Sequence, residues 1–496
     1  MLEKDTGKKL YYKFIFYFIT GVFSVAFFTL LLLTNGYSMR GLLYAQRDQT
    51  FMDFFNSMLS TIGNPYEHYS FYPPFAMMFY KLLLMLVPQA TLDKVVTSES
   101  STAFSTDVKL YQQLYFPFII YALLSLTMLF FAIKSAKKGS VGEVSAFIFL
   151  TMLSAPMLFM YERANNLIIP LALLLFFIAN KDSGKRWQRE LAIVALALAT
   201  AFKIYPAVFA LMLVHEKRFK DALKTGLYTA LLTVPPVFIF FGGFDSIKMI
   251  AENLLIYDGK HSLEIGSQLN FAKMIIFPLT NSRLSNDTLL AAGGFFKVVL
   301  TVFAAIGAVF AKKEWQRAAL CCAIIYGYQA TCTTYLLALF IIPIILLLDG
   351  EHEQTPVGTA SIILMTLTQA LLISINPLTR EFSRDLITKI TSYAVLLLTV
   401  ILTVRGCLDC VSTLSEALKL KKGFIFGALA AIFAGTCFIT LFIGDDSLLR
   451  LIDPGVFPDG TVKNLAFVGI LIVLVAVLLL IRYTVVTKRE KAGKSE

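Results

Sequence analysis

The chain alternates between long runs free of charge and short clusters of Lys and Arg. Runs long enough for a helix to cross about 30 Å of hydrocarbon lie near residues 12–34, 110–133, 141–160, 165–180, 220–241, 290–311, 357–375, 387–404, 424–443 and 465–482. They predict an all-α, polytopic transmembrane protein. Two more apolar stretches complicate the pattern. The first, 191–214, has KDSGKRWQR before it and HEKRFK after it. Basic loops stay on the cytoplasmic side, so a single crossing contradicts one flank or the other. A broken hairpin removes the conflict, rising from Leu191, turning near Lys203 to Pro206 and returning to Leu213. Proline ends a helix and disfavours helix in the residue before it. The run 315–348 is read in the same way, from KKEWQR through the polar YQATCTTY to the loop DGEHEQ.

With both hairpins the topology closes at about 14 crossings. The N-terminus, the basic clusters at 134–138, 181–189, 217–224, 312–317 and 419–422, and the tail TKREKAGKSE then share the cytoplasmic side. The acidic loop 349–354 is the one inside loop that the charge rule does not support. Outside lie the loops 35–109 and 242–289, with shorter ones at 161–164, 376–386 and 444–464. The run from Tyr12 to Thr34 is too long for a signal-peptide core and lacks a small-residue cleavage site after it, so it is expected to remain as the first membrane helix. No inverted repeat relates the two halves.

Composition agrees: of 496 residues, 57% are hydrophobic and 16% charged. The formal charge of +11 resides in short loops and at the ends, which reads as topology rather than as a nucleic-acid footprint. Of six cysteines, Cys407 and Cys410 have CxxC spacing, and neither a second pair nor a His completes a zinc set. Inert thiols are the expectation.

The topology gathers the unusual polar residues at one side. Glu162, Arg163, Asn165 and Asn166 (YERANN) lie in a short outer turn, Lys203 at the apex of its hairpin, and Thr333, Thr334 and Tyr335 at the apex of the other. A charged amine inside a membrane segment costs at least about 2.5 kcal/mol. Two cations at that boundary suit a phosphate attached to lipid, Arg as a planar fork and Lys as a compact charge. A plainer arrangement is equally open: Arg163 pairs with Glu162, and Lys203 snorkels to the interface. In the first outer loop, RDQTFMDFFNSMLSTIGNPYEHYSFYPPF, Asp53 sits in an aromatic helical stretch where reduced hydration favours a carboxylate as base. An exposed position on an interfacial helix is the plainer reading there. GNPY marks a turn, and YPP an extended element that re-enters the membrane.

Taken together, Asp in an aromatic setting, then GNPY and YPP, then ERxNN, then AxxxKxYP in a broken helix, resemble the lipid-phosphosugar-dependent glycosyltransferases of the GT-C class. Within that class the chain is most similar to glycosyltransferase family 87, the polyprenol-phosphate-mannose-dependent α-mannosyltransferase type. The likeness runs from about 45 to 215, with an echo from Tyr335 to Pro343. It implies a GT-C-like catalytic module over 1–350, with 351–496 as additional membrane helices. It implies transfer of a hexose, mannose in the family type, from a polyprenyl-phosphate donor to a glycolipid or polysaccharide acceptor on the outer face of the cell membrane. Asp53 is then the general base of an inverting single displacement, and Arg163 and Lys203 hold the donor phosphate. Glu162, Asn165, Asn166, Tyr205, Tyr72, His68 and Tyr335 line the substrate pocket. Neither a cofactor nor a metal is expected, Asp48 being the nearest further acid, and the protein is expected to act as a monomer in the bilayer. Asp53→Asn should stop transfer while leaving folding and donor binding intact.

The sequence departs from the family pattern at Ala164, where Gly is common, and at CTTY, where a His is common; His68 and His261 are the outer histidines. Two other classes remain open. A transporter or flippase suits broken helices with intramembrane charge, and a polysaccharide polymerase or ligase uses diphosphate-linked donors.

Overall fold

The computed structural model describes residues 2–44, 49–67, 70, 72–97, 111–261, 286–328, 333–350, 354–373, 382, 385–419 and 421–442. Among these residues the protein is helical, without strands. The helices are α1 (Leu2–Leu33), α2 (Met52–Leu59), α3 (Pro74–Leu84), α4 (Gln89–Thr97), α5 (Tyr115–Ala136), α6 (Val141–Met152), α7 (Ala155–Arg163), α8 (Ile168–Asn180) and α9 (Arg186–Phe202). They continue with α10 (Ala210–His215), α11 (Phe219–Phe240), α12 (Phe244–His261), α13 (Asn286–Phe310), α14 (Glu314–Tyr328), α15 (Ile341–Asp349), α16 (Pro356–Gln369), α17 (Asp385–Leu418) and α18 (Lys422–Phe442). Short 3-10 segments precede α10 and α15, at Tyr205–Phe209 and Thr333–Phe340. The apolar run 465–482, His68 and the side chain of His261 lie outside the described residues.

Among the described residues, four helices are long and apolar enough to cross a membrane, or six if each of two bent pairs is one span. The expected figure of about 14 also counts shorter apolar helices such as Ile168–Asn180 and Lys422–Gly435, which length and composition alone do not make crossings. The run 141–160 differs from the expected single helix. It bends by 54° between α6 and α7, where Ser154 takes an extended conformation and Pro156 occupies the first turn of α7. Exposed Phe219, Leu223, Leu227, Leu231, Val234 and Phe238 make a continuous apolar stripe along α11. A helix bathed in water does not carry such a face, and lipid accounts for it.

The chain divides into two compact units, Met1–His261 with Thr331–Val395, and Ser262–Ala330 with Leu396–Glu496. In the first unit, ion pairs collect the loops expected to be cytoplasmic. Lys137, its side chain fully buried, binds Glu143 at 2.7 Å and Asp349 at 2.5 Å, and Glu143 also takes Lys13 at 2.8 Å. The acidic loop that the charge rule left unsupported is therefore tied by Asp349 to the same end as the N-terminal basic residues. Lys181 binds Glu216 at 2.5 Å, Arg218 donates to the Lys181 carbonyl at 2.8 Å, and Lys224 binds Glu190 at 2.7 Å.

These contacts establish the first hairpin: the chain enters at 181–190 and returns to the same place at 216–224. The rising arm is α9, stopped at Lys203 because Pro206 prevents the next turn. Lys203 itself is extended, φ −147° and ψ 131°. Alanines 192, 195, 197, 199 and 201 are buried along α9, and such small residues allow close helix packing. The Thr229 hydroxyl of α11 reaches the Ala197 carbonyl at 3.4 Å. In the other stretch, α14 ends at Tyr328 and the 3-10 segment begins at Thr333, with residues 329–332 outside the description.

At the end of the first unit opposite these ion pairs lie the turn before α8, the apex at Lys203 and the loop carrying α2 to α4. Asn64 donates to Ser246 at 2.9 Å, and Asn253 to the Tyr66 carbonyl at 2.8 Å, which joins α12 to that loop. The YPP element is extended as anticipated: Pro73 has ψ 148° and Pro74 opens α3.

In the second unit, α13 and the later part of α17 approach closely at two glycines. A Cβ on Gly406 would overlap Gly307 Cα and lie 3.0 Å from its carbonyl oxygen. Asp409, 4% exposed, accepts from the Lys312 backbone N–H at 3.3 Å and pairs with Arg405 at 3.3 Å. Cys407 and Cys410 are free thiols on α17.

Candidate active site

Three of the residues singled out from sequence meet directly. Asp53, in the first turn of α2, accepts on Oδ1 from Arg163 Nε at 3.1 Å and Nη2 at 2.5 Å, and on Oδ2 from Asn165 Nδ2 at 2.7 Å. A carboxylate oxygen accepts two hydrogen bonds. Oδ1 is therefore saturated, and among the described residues Oδ2 keeps one lone pair open, on a side chain 14% exposed. Arg163 does not pair with Glu162, which was the plainer sequence reading. Neighbouring helix residues point to different faces, and the Glu162 carboxylate instead accepts the Tyr44 backbone N–H at 3.0 Å. The Glu162 carbonyl takes the Phe51 N–H at 2.6 Å. Glu162 thus binds the chain leading into α2, and Arg163 binds its first turn.

The local backbone is under tension on both sides of this pair. Ala164 ends α7 in the left-handed region, φ 48° and ψ 44°. Asn165 N–H donates to the Met160 carbonyl and Ala164 N–H to that of Tyr161, each at 3.1 Å. This is a Schellman ending, whose left-handed position normally holds Gly. Phe51 is also left-handed, φ 58°. Each such residue costs roughly 1–2 kcal/mol, and conformations of this kind persist where surrounding contacts over-determine them. One of those contacts is Tyr121, whose buried hydroxyl donates to the Asn165 carbonyl at 2.9 Å.

Lys203 ends α9, where the helix dipole favours a cation, and is 7% exposed. Its ammonium lies 4.6 Å from the centre of the Tyr72 ring and 5.7 Å from that of Tyr335. A row of rings connects it with Arg163. Tyr335 stacks on Phe159 at 6.4 Å, Phe159 meets Tyr44 at 5.5 Å, and Tyr44 lies 5.4 Å from the Arg163 guanidinium. On the other flank, Phe54, Ala164 and Phe202, each next in sequence to one of the three charged residues, belong to one buried cluster against which Tyr72 packs.

Tyr205 opens the 3-10 turn after Lys203. Asn166 is buried beside Asn165. His68 and Asp48 lie outside the described residues. Sequence reasoning missed Tyr44, Phe159, Tyr121 and Gln49, which accepts from Arg163 Nη1. Tyr121 carried a readable signal, a polar tip within an apolar span, since buried tyrosine hydroxyls seek a partner.

Electrostatically, the site combines an oriented carboxylate with two cations, one already engaged by that carboxylate and the other between two rings. Such a set is suited to accepting a proton at one point while balancing an anion at another. The sequence model of glycosyltransferase family 87 matches residues 71–332. That range contains Tyr72, Arg163 and Lys203, begins after Asp53 and stops before Tyr335. No curated protein matches the chain in sequence.

Proposed function

The chain belongs to glycosyltransferase family 87, matched over more than half of its length, and from that premise we propose that it moves a hexose from a polyprenyl-phosphate carrier to a glycolipid or polysaccharide acceptor. Membership makes it a glycosyltransferase, so the transporter reading falls away. Mannose is the sugar we favour, on the family type alone. In this reading the protein is a multi-pass component of the cell membrane with about 14 crossings, and its site opens at the exterior face.

The observation that supports the chemistry is the Asp53 carboxylate, oriented by Arg163 and Asn165 with one lone pair of Oδ2 left open. The acceptor hydroxyl approaches that lone pair, and its oxygen attacks the anomeric carbon from the face opposite the phosphate. As the new C–O bond forms, the bond to the phosphate oxygen breaks, its electron pair leaves with polyprenyl phosphate, and Asp53 takes the hydroxyl proton. The anomeric configuration inverts. The leaving phosphate gains negative charge in this step, and Lys203 and Arg163 offset it where little water competes. Because Arg163 also binds Asp53, one guanidinium links the position of the base to the arrival of the anion.

The test is a panel of polyprenyl-phosphate sugars incubated with purified protein, scored by release of the free lipid phosphate. Turnover with a monophosphate sugar is expected. Turnover confined to diphosphate-linked glycans would overturn the donor assignment in favour of a polymerase or ligase.

A further inference from the structure

Asn166 lies in the turn before α8 and is 1% exposed. Neither its Oδ1 nor its Nδ2 has a hydrogen-bond partner among the described residues. Buried polar side chains are nearly always satisfied, and an exception calls for a cause. The turn gives this amide little freedom to find a partner of its own. The Tyr121 hydroxyl donates to the carbonyls of Ala164 at 3.3 Å and Asn165 at 2.9 Å, and the Leu167 N–H donates to Asn165 Oδ1 at 3.0 Å. The Ile169 N–H donates to the carbonyl of Asn166 itself at 3.2 Å. Asn165, the residue before it, holds Asp53, and consecutive Cα atoms are about 3.8 Å apart. Asn166 therefore lies in the same turn as the residue that holds the candidate base, with a donor and an acceptor both unused among the described residues.

The pair of unmet demands selects a ligand chemistry. A phosphate diester at neutral pH offers acceptors alone, which satisfies Nδ2 and strands Oδ1. A polyprenyl chain satisfies neither atom. Two adjacent hydroxyls on a sugar ring satisfy both, one O–H donating to Oδ1 while the neighbouring oxygen accepts from Nδ2. We infer that Asn166 is a specificity residue that reads a vicinal hydroxyl pair on a sugar bound at this site. The inference rests on the glycosyl-transfer reading above and names the part of the substrate that this side chain meets. The ring is that of the donor hexose or that of the acceptor, and the arms of the experiment separate the two.

Full-length protein in detergent, wild type and Asn166→Leu, is titrated with polyprenyl phosphate, with polyprenyl phosphomannose and with soluble mannobiose, with melting temperatures recorded alongside. The wild type should bind the phosphomannose lipid more tightly than the bare phosphate. Asn166→Leu should keep its affinity for the bare phosphate and lose roughly 10- to 100-fold toward the ligand whose hydroxyls it reads. Without ligand its melting temperature should hold or rise, since two stranded polar atoms are gone. Loss confined to the phosphomannose lipid assigns the hydroxyls to the donor; loss confined to mannobiose assigns them to the acceptor.

A sugar preference unchanged in Asn166→Leu overturns the inference. So does a ligand-free protein that melts lower and loses affinity for all three probes together, which marks a structural amide. Should Asn166→Leu fail to fold, Asn166→Asp keeps the shape and one acceptor and is read by the same criteria. A wild type that binds both lipids equally refutes the donor reading, and the mannobiose arm then decides the hydroxyl-pair assignment by itself.

Discussion

Asp53→Asn is the direct test of a general base, and from sequence it is expected to leave folding intact. The structure changes that expectation. The Arg163 side chain is 8% exposed and gives two N–H groups to Asp53 Oδ1, while Asn165 gives one to Oδ2. An amide at position 53 presents N–H groups to one of those donors whichever way it is turned, and Arg163 loses its counter-charge. Removing one partner of a buried ion pair costs about 3–5 kcal/mol. Gln49 and the Tyr44 ring remain on the guanidinium, which places the cost near the lower limit, about 3 kcal/mol. Arg163→Gln should cost about 2 kcal/mol, since Asn165 still serves Asp53. The double variant carries no stranded charge, so it should be more stable than the sum of the singles implies, with a coupling of about 2–3 kcal/mol. The assay is a denaturation cycle of the four proteins in detergent, combined with donor turnover. Additivity within about 0.5 kcal/mol would refute the ion pair as an energetic unit. Turnover in the folded double variant would end the base assignment.

Three further outcomes are expected. Lys203→Gln should weaken binding of polyprenyl phosphate by about 10-fold or more, whereas Tyr335→Leu, which removes the more distant of the two rings, should cost only a few-fold; equal effects would count against Lys203 as the main phosphate contact. Ala164→Gly should stabilise the protein by about 1 kcal/mol, because glycine adopts the left-handed conformation without a Cβ penalty, and a lower melting point would contradict the strain assigned to that turn. Gly406→Ala should destabilise by about 1–3 kcal/mol through backbone overlap with Gly307. Gly307→Ala, which meets the movable Leu320 Cδ1 at 3.0 Å, should cost less, and the reverse order in melting temperature would show that the helices part freely.

The first hairpin was legible because two basic flanks and Pro206 constrain it jointly, and the turn within YERANN because polar residues interrupt apolar runs, although Glu162 and Arg163 belong to the last turn of α7 and the turn itself starts at Ala164. Ala164 was visible as a departure from the family pattern, and its left-handed backbone explains why Gly is common there. The partner of Arg163 was not legible: Asp53 is 110 residues away, and no local rule relates them. The bend between α6 and α7 was missed although Pro156 signals it, since hydropathy runs on through residues 141–160. The helix α17 extends to Leu418 instead of ending near 404, and the charges beyond that point have partners, Arg405 pairing at i,i+4 with the buried Asp409. A search for uncharged runs stops where such charges begin.

Because the hairpin is fastened at both feet, by Lys181 to Glu216 and by Lys224 to Glu190, α9 acts as a ruler. At 1.5 Å per residue its 17 residues set the backbone of Lys203 about 26 Å from the start of the helix at Arg186, close to the thickness of the hydrocarbon layer. Charge depth here is a matter of counting residues. Deleting a single alanine from this arm would lower the amine by about 1.5 Å and swing it by about 100° around the axis, away from its rings, although composition and hydropathy would hardly register the change.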